Sequence, residues 1–246
     1  MQAVKTLLVF ALLALAVWGL RQQVVSDKVT ESLPVRYVRT EGVFQYLSKE
    51  EIKTALMPLV TASIFDADMQ KIHETVTKLA WVKNASVERV WPDTIDIRVH
   101  ERKAYVRWGQ NGLLTEYGEL FTPSNVDQFQ SLLLVDGPKQ QEAKTLEIMK
   151  GVNIALEDQA LELAEFKVND REAWEIKLKT GLEILLGRTG QLKKLQRFLD
   201  TFPVIGQEKI AAMQVVDLRY PNGYAVSWKP ESEPIDWGKP KNQETK

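Results

Sequence analysis

Two histidines occur in the 246-residue chain, and each is followed by a glutamate, as His73–Glu74 and His100–Glu101. An imidazole beside a carboxylate is a minimal set for general acid–base chemistry. Neither pair is placed for it: His100 and Glu101 fall in an alternating strand pattern, where neighbours point to opposite faces, and His73 lies on a helix with no second histidine nearby. Asp66 and Asp68 are close enough to suggest metal or acid–base work, yet they sit just ahead of an apolar helical stripe, the position of an N-cap. Gly187-Arg188-Thr189-Gly190 precedes a helix bearing Lys193, Lys194 and Arg197, an arrangement that can cradle phosphate. It lacks the GxxxxGK spacing, and a cationic outer helix face is ordinarily solvated. Cysteine is absent, which removes thiol nucleophiles, disulfides and cysteine metal sites. A cell-wall hydrolase, the enzymatic alternative, needs paired carboxylates in a cleft or an activated nucleophile. The reading is therefore of a protein that is no enzyme and takes no cofactor or metal.

Composition points the same way. With 44% hydrophobic and 26% charged residues there is apolar material for one large or two modest domains. Lys plus Arg number 32 against 33 Asp plus Glu, so the chain has no electrostatic footprint for nucleic acid.

The elements that position these residues begin with an apolar run. Residues 7–20 (LLVFALLALAVWGL) hold no charge, and extension back to Ala3 gives about 27 Å of helix, close to the hydrocarbon thickness of a bilayer. Lys5, Trp18 and Arg21 stand where snorkelling and interfacial residues belong, so residues 6–21 read as a single transmembrane helix after a short 1–5 terminus. The alternative is a signal peptide cut after the Ala14-x-Ala16 match, against which the apolar run continues through Val17, Trp18 and Leu20. Lys5 on one side and Arg21 and Lys28 on the other leave orientation undecided by charge.

After a connector over 22–34, residues 35–43 read as a strand. Ser48 and Glu51 form a capping box ahead of Ile52, Ala55, Leu56, Leu59 and Val60. A second helix carries Met69, Ile72, Val76 and Leu79. From Val82 the period becomes two, and Trp91-Pro92-Asp93 turns into a strand in which Ile95, Ile97 and Val99 alternate with Asp96, Arg98 and His100. The order β-α-α-β-β makes a small α+β layer. Beyond it, Asn111-Gly112 signals a hairpin, and strands at 132–135, 161–168, 173–179 and 182–186 surround a helix over 143–156. A further helix has Leu192, Leu195, Leu199 and Phe202 facing inward. A last hairpin pairs 215–220 with 224–228 around Pro221-Asn222-Gly223, and residues 231–246 read as a disordered tail.

The run WVKNASVERVWPDTIDIRVHERKAYVRW resembles the end of the POTRA domain of the bacterial FtsQ/DivIB cell-division family, and TGLEILLGRTGQLKKLQRF and VDLRYPNGYAVSW resemble segments of that family's β domain. The resemblance covers nearly the whole chain. It implies an inner-membrane protein with its N-terminus in the cytoplasm, a single POTRA domain over 35–103 and a β-rich domain with two or three helices over 104–230. Both domains would be periplasmic and act at the division septum. It further implies a non-catalytic scaffold that binds FtsB, with FtsL alongside, through the terminal hairpin by strand addition, and upstream proteins such as FtsK through the POTRA domain. Carried over by motif, the partner-binding residues are Arg171, Arg219, Tyr220, Gly223, Ser227 and Trp228. Tyr220 and Trp228 suit aromatic anchors, and Arg171 and Arg219 suit acidic partner groups. Read without the resemblance, the two aromatics are equally well core residues of the hairpin. A POTRA-type chaperone for exported polypeptides is the remaining alternative.

Overall fold

The computed structural model describes residues 33–42, 44–60 and 63–230; the expected anchor over 6–21, its flanks and the expected disordered tail over 231–246 lie outside the described residues. Among the described residues no helix is long and apolar enough to cross a membrane. The chain divides into two compact units, one ending at Glu101 and the other beginning at Arg102.

The first unit runs β1 (Tyr37–Glu41), α1 (Lys49–Leu56), α2 (Met69–Thr77), β2 (Val82–Val90) and β3 (Thr94–Glu101). The capping box forms as read: Ser48 Oγ accepts the Glu51 N–H at 3.0 Å and the Glu51 carboxylate accepts the Ser48 N–H at 2.8 Å. Helix α1 is shorter than its apolar stripe, because Pro58 has no N–H to continue the ladder, so Leu59 and Val60 lie half-buried in the following turn. Asp68 is the cap of α2, accepting from the Lys71 N–H at 3.0 Å, and His73 is exposed on that helix. Strands β2 and β3 form the expected antiparallel hairpin, and β1 lies parallel to β3 on its other side, with Tyr37 opposite Thr94 and Glu41 opposite Arg98. Asp96 departs from the expected alternation: β3 is the central strand, and the Asp96 carboxylate is buried, with Arg39 Nε 3.5 Å away on the neighbouring strand.

In the second unit nine strands among the described residues form one sheet. They are β4 (Val106–Trp108), β5 (Gly112–Leu114), β6 (Leu120–Phe121), β7 (Leu134–Asp136), β8 (Leu163–Val168), β9 (Trp174–Leu178), β10 (Glu183–Gly187), β11 (Met213–Asp217) and β12 (Ala225–Trp228), in the order β12-β11-β10-β9-β8-β7-β4-β5-β6. Four helices among the described residues replace the expected two or three: α3 (Glu142–Glu157), α4 (Gln191–Leu199), α5 (Phe202–Ile205) and α6 (Gln207–Ala212). Gly206, at φ 83°, separates the last two. Leu146, Met149 and Val152 of α3 and Leu195, Phe198 and Leu199 of α4 join Phe166, Ile176, Ile184 and Val216 of the sheet in one core. Truncating a ring such as Phe198 to Ala in such a core costs about 3–5 kcal/mol. The opposite face of the sheet carries a grid of charge in which Lys167 pairs with Glu165 at 2.8 Å and Lys177 with Glu183 at 3.6 Å.

Two local expectations change. Residues 109–111 form the first hairpin turn, with Gly109 at φ 54°, and Gly112 is already on β5 opposite Trp108; the Asn111-Gly112 pair is not the turn. Leu192 is 47% exposed, since the apolar stripe of α4 runs through Leu195, Phe198 and Leu199 and the half-buried neighbour is Lys194.

Candidate functional site

Strand β12 ends the nine-stranded sheet. It pairs with β11 on one side, Asp217 opposite Ala225, Val216 opposite Val226 and Val215 opposite Ser227, with a register shift before Met213 meets Trp228. On its other side no strand follows among the described residues, so its outer row of N–H and C=O groups is an open edge. Alternation along β12 sets the side chains. Val226 and Trp228 are half-buried against the core, while Ala225 and Ser227 are exposed.

The connection before β12 is not a tight hairpin around Pro221-Asn222-Gly223. Pairing stops at Asp217 and Ala225, so the loop spans 218–224. Its length follows from Leu218, which is buried and whose N–H donates to the Leu185 carbonyl at 2.8 Å, carrying the chain on beside β10 after it has left β12. Gly223 has open space around it. Tyr224 folds inward, its ring edge-on to Phe198 at 5.2 Å and its hydroxyl 3.2 Å from Thr201 Oγ1.

Arg219 is held on this loop by Asp217. Arg219 Nε donates to both Asp217 oxygens at 2.8 and 3.0 Å, Nη2 donates at 2.6 Å, and the Arg219 N–H donates at 3.0 Å. The guanidinium hydrogen bonds hold the Asp217 carboxyl below its ordinary value, and the carboxylate in turn raises Arg219. The stem of Arg219 lies over Gly187, where a Cβ would stand 3.1 Å from Arg219 Cγ. The bases of α4 turn out to serve the same loop: Lys194 Nζ donates to the Arg219 carbonyl at 3.3 Å and Arg197 Nη1 to the Pro221 carbonyl at 3.1 Å. Two of the three cations read as a possible phosphate cradle are thus spent on backbone carbonyls. Tyr220, between them, is 54% exposed.

Arg171 lies on the β8–β9 turn, which Asn169 ties by accepting the Arg171 and Ala173 N–H groups at 2.9 and 3.0 Å. Strand register brings that turn to the end of the sheet where Arg219 lies: Val168 and Gly187 both pair with Trp174, and Leu185 pairs with Asp217. Arg188, exposed on the next loop, shares this end. So the structure gathers Arg171, Arg219, Tyr220 and Gly223 at one end of the β9–β12 edge region and runs Ser227 and Trp228 along the edge strand itself. Sequence reasoning did not assign Asp217 or Arg188 to this region. The Asp-x-Arg spacing, which puts both groups on one face of an extended chain, is the signal for the first.

Both Glu101 oxygens accept backbone N–H groups, from Gln45 at 2.9 Å, Tyr46 at 3.1 Å and Leu47 at 2.6 Å, and His100 is exposed on the strand.

Over 232 residues the chain is 47% identical to the cell division protein FtsQ of Methylomonas methanica, a match that takes in 94% of this chain and 92% of that protein. The chain belongs to the FtsQ/DivIB family of cell-division proteins. The FtsQ-type POTRA domain model matches residues 33–102, and the model of the FtsQ/DivIB C-terminal region matches residues 104–219. Similarity extends to FtsQ of Shewanella oneidensis, 31% identical over 198 residues (80% of this chain, 75% of that one), and of Coxiella burnetii, 27% over 229 residues (93% and 94%). The first unit is therefore a POTRA domain of FtsQ type, and the α+β reading holds with a β-rich second domain behind it.

Proposed function

We propose that this FtsQ-family protein is a non-catalytic scaffold of the division machinery that binds a segment of FtsB, with FtsL alongside, by strand addition to β12. The supporting observation is that, among the described residues, β12 is the last strand of the sheet and its outer edge is open, with Arg219 and the exposed Tyr220 on the loop that leads into it. An added strand would take its affinity from main-chain hydrogen bonds along that edge. Its acidic groups would meet Arg219, Arg171 and Arg188, and an apolar residue would cover Tyr220. Around this stand the anchor over 6–21, an N-terminus in the cytoplasm, both units in the periplasm at the septum, and contact of the POTRA domain with an upstream protein such as FtsK.

The test separates affinity from folding. Tyr220→Ala is expected to weaken FtsB binding by about 2 kcal/mol, roughly thirtyfold in Kd, with little change in thermal unfolding. Trp228→Ala is expected to lower both, because its half-buried ring also packs on the core. Lys193→Ala, on the exposed face of α4, serves as the control. Wild-type affinity in the Tyr220 variant removes the loop from the FtsB site, and wild-type affinity in the Trp228 variant as well removes the edge.

A further inference from the structure

The POTRA unit has two ends. At one, Glu101 closes β3 and holds the 45–47 backbone. At the other the chain comes in: the Ile64 N–H donates to the Leu33 carbonyl at 2.8 Å, Pro34 bridges to Ser63, and the Arg36 N–H donates to the Asp93 carbonyl at 2.9 Å. This incoming end carries Phe65 and Trp91, whose rings are 4.8 Å apart and each 54% exposed, and Tyr37, 62% exposed at the start of β1. Single exposed apolar residues are ordinary, but here two rings from separate parts of the chain touch one another in the open instead of facing the core of Ile52, Ile72, Ile95 and Ile97.

What covers them follows from where the chain leads. Leu33 is joined through residues 22–32 to the apolar run 7–20, and a connector of that length reaches at most about 40 Å when fully extended. The aromatic end is thus the end of the POTRA unit tethered to the apolar segment, and the Glu101 end is farther along the chain. Trp and Tyr rings favour the headgroup region of a bilayer, where an apolar body and a polar edge are both satisfied. Arg36, with a largely exposed side chain 3.9 Å from Asp93, lies at the same end and suits lipid phosphate.

We propose that Phe65, Trp91 and Tyr37 form a lipid-facing surface that seats the POTRA unit on the headgroup region of the bilayer. The inference rests on the reading of residues 6–21 as an anchor.

The absence of cysteine allows a clean test. The full chain carrying either Asp66→Cys beside the rings or Lys78→Cys at the C-terminus of α2, each labelled with an environment-sensitive fluorophore, is reconstituted into vesicles of phosphatidylcholine and phosphatidylglycerol that contain lipids spin-labelled near the headgroup. The label at 66 is expected to be quenched several-fold more than the label at 78. The double variant Phe65→Ser/Trp91→Ser should abolish the difference without lowering the unfolding temperature. Equal quenching at the two positions, or quenching at 66 that survives the double variant, overturns the proposal while leaving the anchor in place. So does a double variant that loses a co-purifying membrane protein but keeps the depth signal, which would make the patch a protein site. A chain that fails to float with the vesicles overturns the anchor and this surface together.

Discussion

Four hydrogen bonds from one arginine converge on Asp217, and they explain how a loop residue that is itself exposed can be held in one place. The Arg219 guanidinium depresses the Asp217 pKa, mainly through its side-chain hydrogen bonds. A carboxyl depressed in the folded state contributes stability that is present above its unfolded value and is lost as pH falls through the folded value. Asp217→Asn is therefore expected to unfold at lower temperature than wild type at neutral pH, and the gap should close as pH drops below the ordinary carboxylate range. Thermal unfolding of the two proteins across that range checks it. A constant gap would mean that the carboxylate charge is not what stabilises the loop. Glu101 teaches the complementary lesson: a glutamate next to a histidine invites a chemical role, but three backbone N–H groups from a loop more than fifty residues away occupy its oxygens. Such a carboxylate terminates a domain the way a cap terminates a helix.

At the scale of elements, patterns with local causes were legible. The capping box at Ser48, an aspartate cap read as Asp66 or Asp68 and formed by Asp68, and the alternation of Ile95, Ile97 and Val99 each depend on residues a few positions apart, and each appears in the structure. Whatever depended on a distant partner was not legible. Asp96 reads as a solvent-facing strand residue until β1, from the far end of the domain, lies down beside β3. Likewise the open loop of 218–224 looks like a tight turn until β10 claims Leu218. The edge itself was legible as a terminal hairpin, but its cluster of Arg171, Arg188 and Arg219 arises only from the register of four strands. Gly112 offers a test at this scale. A Cβ there would stand 2.8 Å from Leu120 Cδ1 and 2.9 Å from the Trp108 carbonyl oxygen, whereas one at Gly223 meets open space. Gly112→Ala should destabilise the second unit by about 1–3 kcal/mol in chemical denaturation, and Gly223→Ala should leave its stability nearly unchanged.

At the scale of the molecule, most neighbours in the large sheet are also neighbours in the chain: from β8 to β12 each strand lies beside the one made before it. The candidate site is the outermost member of that series. A chain ending at Pro230 is expected to retain FtsB as the longer chain does. One ending at Gly223 should keep cooperative unfolding of both units, at a lower temperature for the second, and retain no FtsB in a pull-down; retention by the shorter chain would remove β12 from the interface. The order of the strands also has a meaning in time. Synthesis proceeds from the amino terminus, so β11 is a provisional margin until β12 emerges and replaces it. On the strand-addition reading, a nascent or prematurely terminated chain offers its partner the wrong margin, and docking on β12 selects molecules whose translation has passed that strand. Recruitment of the partner would then double as a check that the sheet has acquired its outer strand.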